Sequence, residues 1–519
     1  MGIFFNPGNG SFTKDRNYEI YVDKTELLKY LNRAIGTPGN CIAVSHARRF
    51  GKSHAAGMID AYYSLGSDSA KLFKGTKIAS DPDYEKYRNK YNVIHLDISS
   101  FWDFHKKDIV EKIIEDIFKE LKMDYPEEFN ERDRISYVLI KIYEKTGIPF
   151  VIIIDEWDCV VRNSTDQDLI HQYLQFLHSL FKSEESKSFL ALGYITGIMP
   201  IKKIKDESAL NNFEEYTMLK SRPITKYYGF TEEEVKDLCK RYDMDFETTK
   251  EWYNGYLIDG MHMYNPNSVS QAMKYHDFDS YWRNTSAFGT INNFIMMNYS
   301  GLKEDVLTML SGGKVMVDTE CFQNDLAEIH SKDDALTALI HLGYLGYDAD
   351  ILSAYIPNYE VAKAFQSALK TGEWKDVAAS ISKCDTLLMA TISGNTEKVA
   401  ELIELAHDTY TSILKYNDEN SLSCVLTMAY FTAPAYYTII REMPAGKGFA
   451  DFVFLPRANA GNRPAMIVEL KYNQSADTVI RQIKEKRYQG ALSGYESKIL
   501  LVGISYDSEK HHTCSIEEW

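Results

Sequence analysis

The sequence predicts an α/β protein: a parallel sheet with helices on both faces, a mostly helical middle region, and a second α/β unit at the C-terminus. Three observations predict it. Short apolar runs alternate with helical stretches through the first third of the 519 residues. Beyond Gly229 the pattern becomes helical or mixed until about residue 410. Apolar strand patterns then return near residue 449, in a different order. Strand and helix in alternation fold as a parallel sheet covered by helices.

The first strand is "CIAVSHA" (41–47), followed by a helix to about Leu65. "NVIHLDIS" (92–99) reads as the second strand, and helical segments follow around 104–122 and 132–146. "FVIIIDE" (150–156) is apolar enough to be buried on both faces. A helix over 167–183 leads to a fourth strand, "SFLALGYITG" (188–197). Thr231 caps "EEEVKDLCKRY", whose acidic first turn suits a helix N-terminus. An apolar segment runs from 421 to 440. Then come the strands "FADFVFLP" (449–456) and "AMIVELKY" (465–472), a helix over 476–492, and the strand "SKILLVGISY" (497–506).

Bulk properties bound the function. The net charge of −16 argues against a generic nucleic-acid coat, which needs clustered cations. Residues 441–500 nevertheless carry ten Lys/Arg against six Asp/Glu, a basic window in an acidic chain. The seven cysteines are odd in number and include no CxxC pair, which favours free thiols in a reducing cytoplasm. No run approaches the ~18 apolar residues that a membrane span requires. The opening "MGIFFNPGNGSF" lacks the basic-then-apolar layout of a secretory signal, and Asn6 breaks the myristoylation pattern.

Two constellations carry chemistry. The stretch "HARRFGKS" (46–53) ends like a P-loop, G-x-x-x-x-G-K-[ST], but has His46 where the first glycine belongs. In such a loop Gly51 lets the backbone approach phosphate, Lys52 reaches the β/γ oxygens, and the Ser53 hydroxyl ligates Mg²⁺. Arg48 and Arg49 either help hold the phosphates or face solvent. Asp155, at the tip of the third strand, suits Mg²⁺ held through water, and Glu156 suits polarisation of the attacking water. The 92–99 strand is expected to separate this pair from the P-loop in the sheet. Thr196 is either a γ-phosphate sensor or an ordinary strand-end threonine. Taken singly, Gly51-Lys52-Ser53 reads as an ordinary turn into a helix and the end of the third strand as a solvated carboxylate; together, in this spacing and order, they favour nucleotide binding.

In the basic window, strand alternation puts Glu469 and Lys471 on one face, and a hairpin brings Asp451 to them. Two carboxylates that hold a metal, beside a lysine, suit phosphodiester hydrolysis. Glu419 is a candidate third carboxylate. Gln482, Lys484, Arg487 and Tyr488 lie on the following helix, which either tracks a phosphate backbone or is a solvated amphipathic face.

Together these residues resemble a bacterial family that joins an AAA-ATPase-like domain (a P-loop NTPase of the ASCE type) to a C-terminal PD-(D/E)XK nuclease-superfamily domain. "YVDKTELL" (21–28), "ARRFGKS", "VIIIDEWD" (151–158), "ITGI" (195–198) and "YYGFTEEEV" (227–235) carry the first half of the resemblance. "WYNGY" (252–256) and "YNPNSV" (264–269) look like its helical lid. "GKGFADFVFLP", "AMIVELKY" and "IRQIKEKRY" look like its nuclease motifs. The resemblance implies ATP and Mg²⁺ at Lys52, Ser53, Asp155 and Glu156. It implies a nuclease core of Glu419, Asp451, Glu469 and Lys471, with Gln482 accessory. His46-Ala47 stands where the family has Arg-Pro, and Phe449 where a small or basic residue is frequent.

The expected domains are 1–228 (AAA-ATPase-like), 229–410 (helical lid or linker) and 411–519 (nuclease-like). The leading expectation is a cytoplasmic, ATP-binding and ATP-hydrolysing protein that controls a Mg²⁺-dependent nuclease. DNA is favoured over RNA as partner, no membrane is involved, and homo-oligomers are left open. The alternatives are a non-catalytic, nucleotide-controlled module that binds nucleic acid or protein, and an ATPase with a vestigial nuclease domain.

Overall fold

The computed structural model describes residues 2–519 apart from 127–129, 131–132, 202–209, 282–290, 292, 295–296, 298, 300, 311, 321, 323–328, 370–382, 415–424, 434–435, 446–447, 457–461, 487–497 and 508–510. Glu419, Arg487 and Tyr488 lie outside the described residues. The chain forms two compact units, Met1–Asp279 with Met316–Pro357, and Ser280–Val315 with Asn358–Trp519.

The first unit is built on β1 (Cys41–Ser45), β2 (Asn92–Asp97), β3 (Phe150–Asp155), β4 (Leu190–Gly197) and β5 (Glu214–Thr217). They form one parallel sheet in the order β2-β3-β4-β1-β5. The strand between β1 and β3 is therefore β4. The expectation that the 92–99 strand fills that place is corrected: β2 lies on the far side of β3. Successive side chains enter opposite cores. Cys41 and Ala43 join Ile152, Ile154 and the helices Ile109–Asp124, Ile135–Thr146 and Gln167–Phe181 on one face. Ile42 and Val44 join Val151, Ile153 and the helices Glu26–Ala34 and Lys52–Tyr63 on the other. Burial on both faces is why these strands read as unbroken apolar runs.

The expected helix around 104–122 is Ile109–Asp124, and a short helix not expected from the sequence, Ile98–Phe104, precedes it, capped by Asp97 directly at the end of β2. Beyond the sheet, β6 (Phe230–Thr231), β7 (Tyr256–Ile258) and β8 (Met261–Tyr264) form a small antiparallel sheet. Thr231 and Glu234 form a capping box at the start of the helix Glu232–Tyr242. A second small sheet pairs β9 (Val315–Met316), β10 (Gly346–Asp348) and β11 (Ser353–Tyr355).

The second unit carries β12 (Tyr437–Ala445), β13 (Gly448–Pro456), β14 (Ala465–Tyr472), β15 (Ile499–Tyr506) and β16 (His512–Glu518) in sequential order. Only β14 and β15 pair in parallel, and the helix Ala476–Glu485 links them. That helix lies close on the sheet because Gly503 faces it. A Cβ at Gly503 would sit 2.7 Å from the Ala476 carbonyl. Ile480 and Ile483 pack from the helix onto Ala465, Ile467 and Leu501. Among the described residues, no helix is long and apolar enough to cross a membrane, and Cys41, Cys159, Cys239, Cys384 and Cys514 are unbridged.

Candidate functional site

The P-loop leaves β1 at His46 and re-enters helix at Lys52. Gly51 has φ +90°, a left-handed conformation that suits glycine, and it caps the helix Lys52–Tyr63. Lys52 points back into the loop, with Nζ donating to the carbonyls of His46 (2.9 Å) and Ala47 (3.0 Å). Burial pulls its ammonium below the ordinary lysine range, and the carboxylates Glu156, Asp155 and Asp158 oppose that pull.

His46 is a core residue. Its ring lies 5.2 Å from that of Tyr228, and Nε2 pairs with Ser221 Oγ at 2.8 Å. Burial, with Lys52 and His341 adding, pulls its imidazole down to about 3. A permanently charged arginine at this point would need counter-charges in the core. The unfolded chain takes up a proton on His46 below about pH 6.5, which the folded loop refuses until about pH 3. The stability this residue supports is therefore whole above pH ~6.5 and is lost as pH falls through that interval. Between pH 7 and 5 the wild type should lose about 2 kcal/mol more than His46→Gln, read as a larger drop in its thermal unfolding midpoint. Equal acid sensitivity would refute a buried neutral His46.

Across from the loop, Asp155 ends β3 and Glu156 follows it. Thr196 Oγ1, at the end of β4, donates to Asp155 Oδ1, and the Glu156 amide donates to the same oxygen at 3.1 Å. Glu156 has φ +52° and pairs with Arg162 Nη2 at 2.8 Å. Burial raises the Glu156 carboxyl, Lys52 opposes that, and Asp158 adds to it. A polar cavity of about 480 Å³ is lined by Arg48, Ser53, Asp97, Asp155, Glu156 and Arg162, among others. A second, more apolar cavity of about 510 Å³ flanks the same loop and is lined by Arg49, Gly51, Met58, Tyr227 and Pro266, among others. The two loop arginines therefore diverge, with Arg48 on the acidic side and Arg49, at φ +66°, on the other.

Several residues that position this site were not singled out from the sequence. Lys24 Nζ pairs with Glu234 at 2.6 Å and donates to the Lys226 carbonyl at 2.8 Å, so "VDKT" meets "FTEEE" beside the apolar cavity. Asn265 caps the helix Pro266–Tyr275 and also reaches the Arg48 carbonyl at 3.4 Å. The Gly229 amide donates to the Phe50 carbonyl at 2.9 Å, and the Tyr256 ring meets that of Phe50 edge-on at 5.2 Å. Gly229, Tyr256 and Asn265 thus bring the segments after residue 226 into contact with the 46–53 loop. Their signal in the sequence is their place in the quoted motifs, together with spacing such as Asp158 to Arg162, one helical turn apart.

In the second unit, the β13–β14 ladder runs from Phe454↔Met466 to Phe452↔Val468. Where it stops, carboxylates take over. Asp451 Oδ2 accepts from the Leu470 amide at 2.7 Å, and the Asp451 amide donates to Glu469 Oε2 at 3.4 Å. Lys471 Nζ lies 3.4 Å from Glu469 Oε1. Burial raises the Glu469 carboxyl, Asp451 adds to this, and Lys471 opposes it. Asp451, Glu469 and Lys471 are therefore brought together. Gln482 is half-buried on the helix Ala476–Glu485, and Lys484 is ion-paired with Glu517 on β16. Among the described residues, no three His, Cys, Asp or Glu side chains converge as a metal site.

Two regions of the chain match known protein families. Residues 9–205 match the family model described as "Predicted AAA-ATPase", and residues 417–519 match that of the PD-(D/E)XK nuclease superfamily. The "Uncharacterized protein in vnfD 5'region" of Azotobacter chroococcum mcd 1 is 24% identical over 287 residues, covering 54% of this chain and 53% of the relative. The chain spans about half the length of that curated relative. Among solved structures, the ORC2 protein of Aeropyrum pernix (ADPNP-ADP complexes) matches with TM-score 0.22 and 10% identity, over 70% of this chain and 94% of that one. The chain joins an AAA-ATPase-like domain to a domain of the PD-(D/E)XK nuclease superfamily.

Proposed function

We propose that the protein binds and hydrolyses ATP in its first unit, and that nucleotide state controls a Mg²⁺-dependent nuclease in its second, with DNA as substrate. One observation carries the ATP half. A buried lysine bonded to its loop's carbonyls feels the charges of Glu156 and Asp155, and the next residue, Ser53, lines one polar cavity with those two carboxylates. The donor set is hard oxygen, Ser53 hydroxyl and Asp155 carboxylate, which fits Mg²⁺. Mg²⁺, when bound, neutralises charge developing on the phosphates. Lys52 exchanges the loop carbonyls for phosphate oxygens, and Arg48 adds charge from the same side. Glu156 orients a water and takes its proton as the water oxygen bonds to the γ-phosphorus. The bond from that phosphorus to the bridging oxygen then breaks, and its electron pair leaves with ADP.

For the nuclease half, Asp451 and Glu469 are the groups to hold a divalent ion, which would stabilise charge at the scissile phosphate. Lys471, 3.4 Å from Glu469, is placed to orient the attacking water. The ion pair that Lys471 makes with Glu469 also fits a second reading, in which this domain grips nucleic acid without cutting it. A cleavage assay decides between them. Supercoiled plasmid and a matched RNA are incubated with Mg²⁺ or Mn²⁺, with and without ATP, while phosphate release is followed. The expected result is metal-dependent nicking of DNA whose rate changes with ATP. Retention of DNA on a filter without cleavage under any condition would establish the second reading.

A further inference from the structure

Arg162 lies on the short helix that follows β3, between two acids. Its Nε donates to Asp158 Oδ2 at 2.7 Å, and its Nη2 donates to Glu156 Oε2 at 2.8 Å. Its side chain is 9% exposed, and Asp158 is fully buried. The same Asp158 Oδ2 accepts from the amides of Ile198 (3.2 Å) and Met199 (3.0 Å), just beyond the end of β4. Two residues earlier, Thr196 bonds Asp155. The end of β4 is thereby tied to two of the carboxylates that line the polar cavity, to Asp155 directly and to Glu156 through Asp158 and Arg162. A guanidinium is suited to this because its planar fork serves two acceptors at fixed angles, which an ammonium cannot do. Glu156 needs such a hold. Its backbone is in the left-handed region, which a glutamate rarely adopts, and its side chain is 25% exposed at the cavity wall.

We propose that Arg162 is the positioning residue for Glu156: anchored on Asp158, it holds the water-activating carboxylate in register with the end of β4. This rests on the ATPase reading above. Arg162 acts on turnover through Glu156 and leaves nucleotide binding, centred on Lys52, intact.

The test uses the full chain with Arg162→Gln, Arg162→Lys, Glu156→Gln and the double variant. Steady-state and single-turnover ATP hydrolysis are measured. Affinity for a fluorescent ATP analogue is measured separately in EDTA. Arg162→Gln should lower kcat about 10- to 100-fold, by analogy with the loss on removing outer partners of metal ligands, with KM and analogue affinity nearly unchanged. Arg162→Lys should recover part of that loss. In the Glu156→Gln background, Arg162→Gln should change the single-turnover rate little, since the two residues act as one unit. Unchanged kcat in Arg162→Gln, parallel loss of analogue binding, or additive effects in the double variant would each overturn the assignment. If Arg162→Gln does not fold, Arg162→Lys decides, because it keeps the charge. Its kcat should fall several-fold at constant affinity, and wild-type kcat there would overturn the proposal. A wild type that binds the analogue but turns over no ATP removes the ATPase reading itself, whereas turnover indifferent to Arg162 removes only this inference.

Discussion

Asp451→Asn is expected to abolish metal-dependent cleavage, by roughly a thousandfold or more, without unfolding the second unit. A metal-holding carboxylate supplies several kcal/mol of charge stabilisation, and about 4 kcal/mol corresponds to three orders of magnitude in rate. Asparagine separates this chemistry from structure. Asp451 Oδ2 accepts the Leu470 amide at 2.7 Å, where the β13–β14 ladder ends. An asparagine oxygen keeps that acceptor and loses only the charge. Asp451→Ala loses both and strands the Leu470 amide, at about 1–3 kcal/mol of stability. The two variants should therefore be equally inactive but differ in thermal midpoint, with Asp451→Asn near wild type. Cleavage by Asp451→Asn at the wild-type rate would remove this site from the chemistry.

The parts of both sites that were legible in the sequence are those written in local pattern. A glycine before Lys52-Ser53 at a strand-to-helix junction, and Asp155-Glu156 closing an apolar strand, are signals within a few residues. Period-2 alternation sufficed for Glu469 and Lys471. What stayed hidden depends on distant pairing. The position of β4 between β1 and β3 leaves no mark in either strand. β5 reads "EEYT" and β16 "HTCSIEE", polar enough at a sheet edge to carry no apolar period. Missing β16 also hid Glu517, and with it the ion pair that holds Lys484. The Lys24–Glu234 pair spans 210 residues. His46 read as a variant loop residue, and only its neighbours Ser221, Tyr228 and His341 explain why a titratable but neutral ring occupies that place.

Lys52→Met should weaken ATP binding by about 100-fold or more and remove any effect of ATP on cleavage. The ammonium makes two hydrogen bonds to loop carbonyls and would exchange them for phosphate oxygens. Charge-assisted bonds of this kind are worth about 1.5–3 kcal/mol each, so losing two at the phosphate accounts for that weakening. Methionine keeps the apolar stem that fills the base of the loop, which alanine would leave as a cavity. The substitution also removes the charge that opposes the rise of Glu156, so the carboxyl beside it shifts further toward its neutral form. Binding and turnover should both be lost, whereas Arg162→Gln loses turnover alone. Cleavage then reports on the second unit by itself. If nucleotide controls the nuclease, Lys52→Met cuts DNA at one rate with or without ATP, and that rate identifies which state of the ATP site permits cleavage. If cleavage by Lys52→Met still responds to ATP as the wild type does, the controlling nucleotide does not act through this loop, and the coupling proposed between the two units fails.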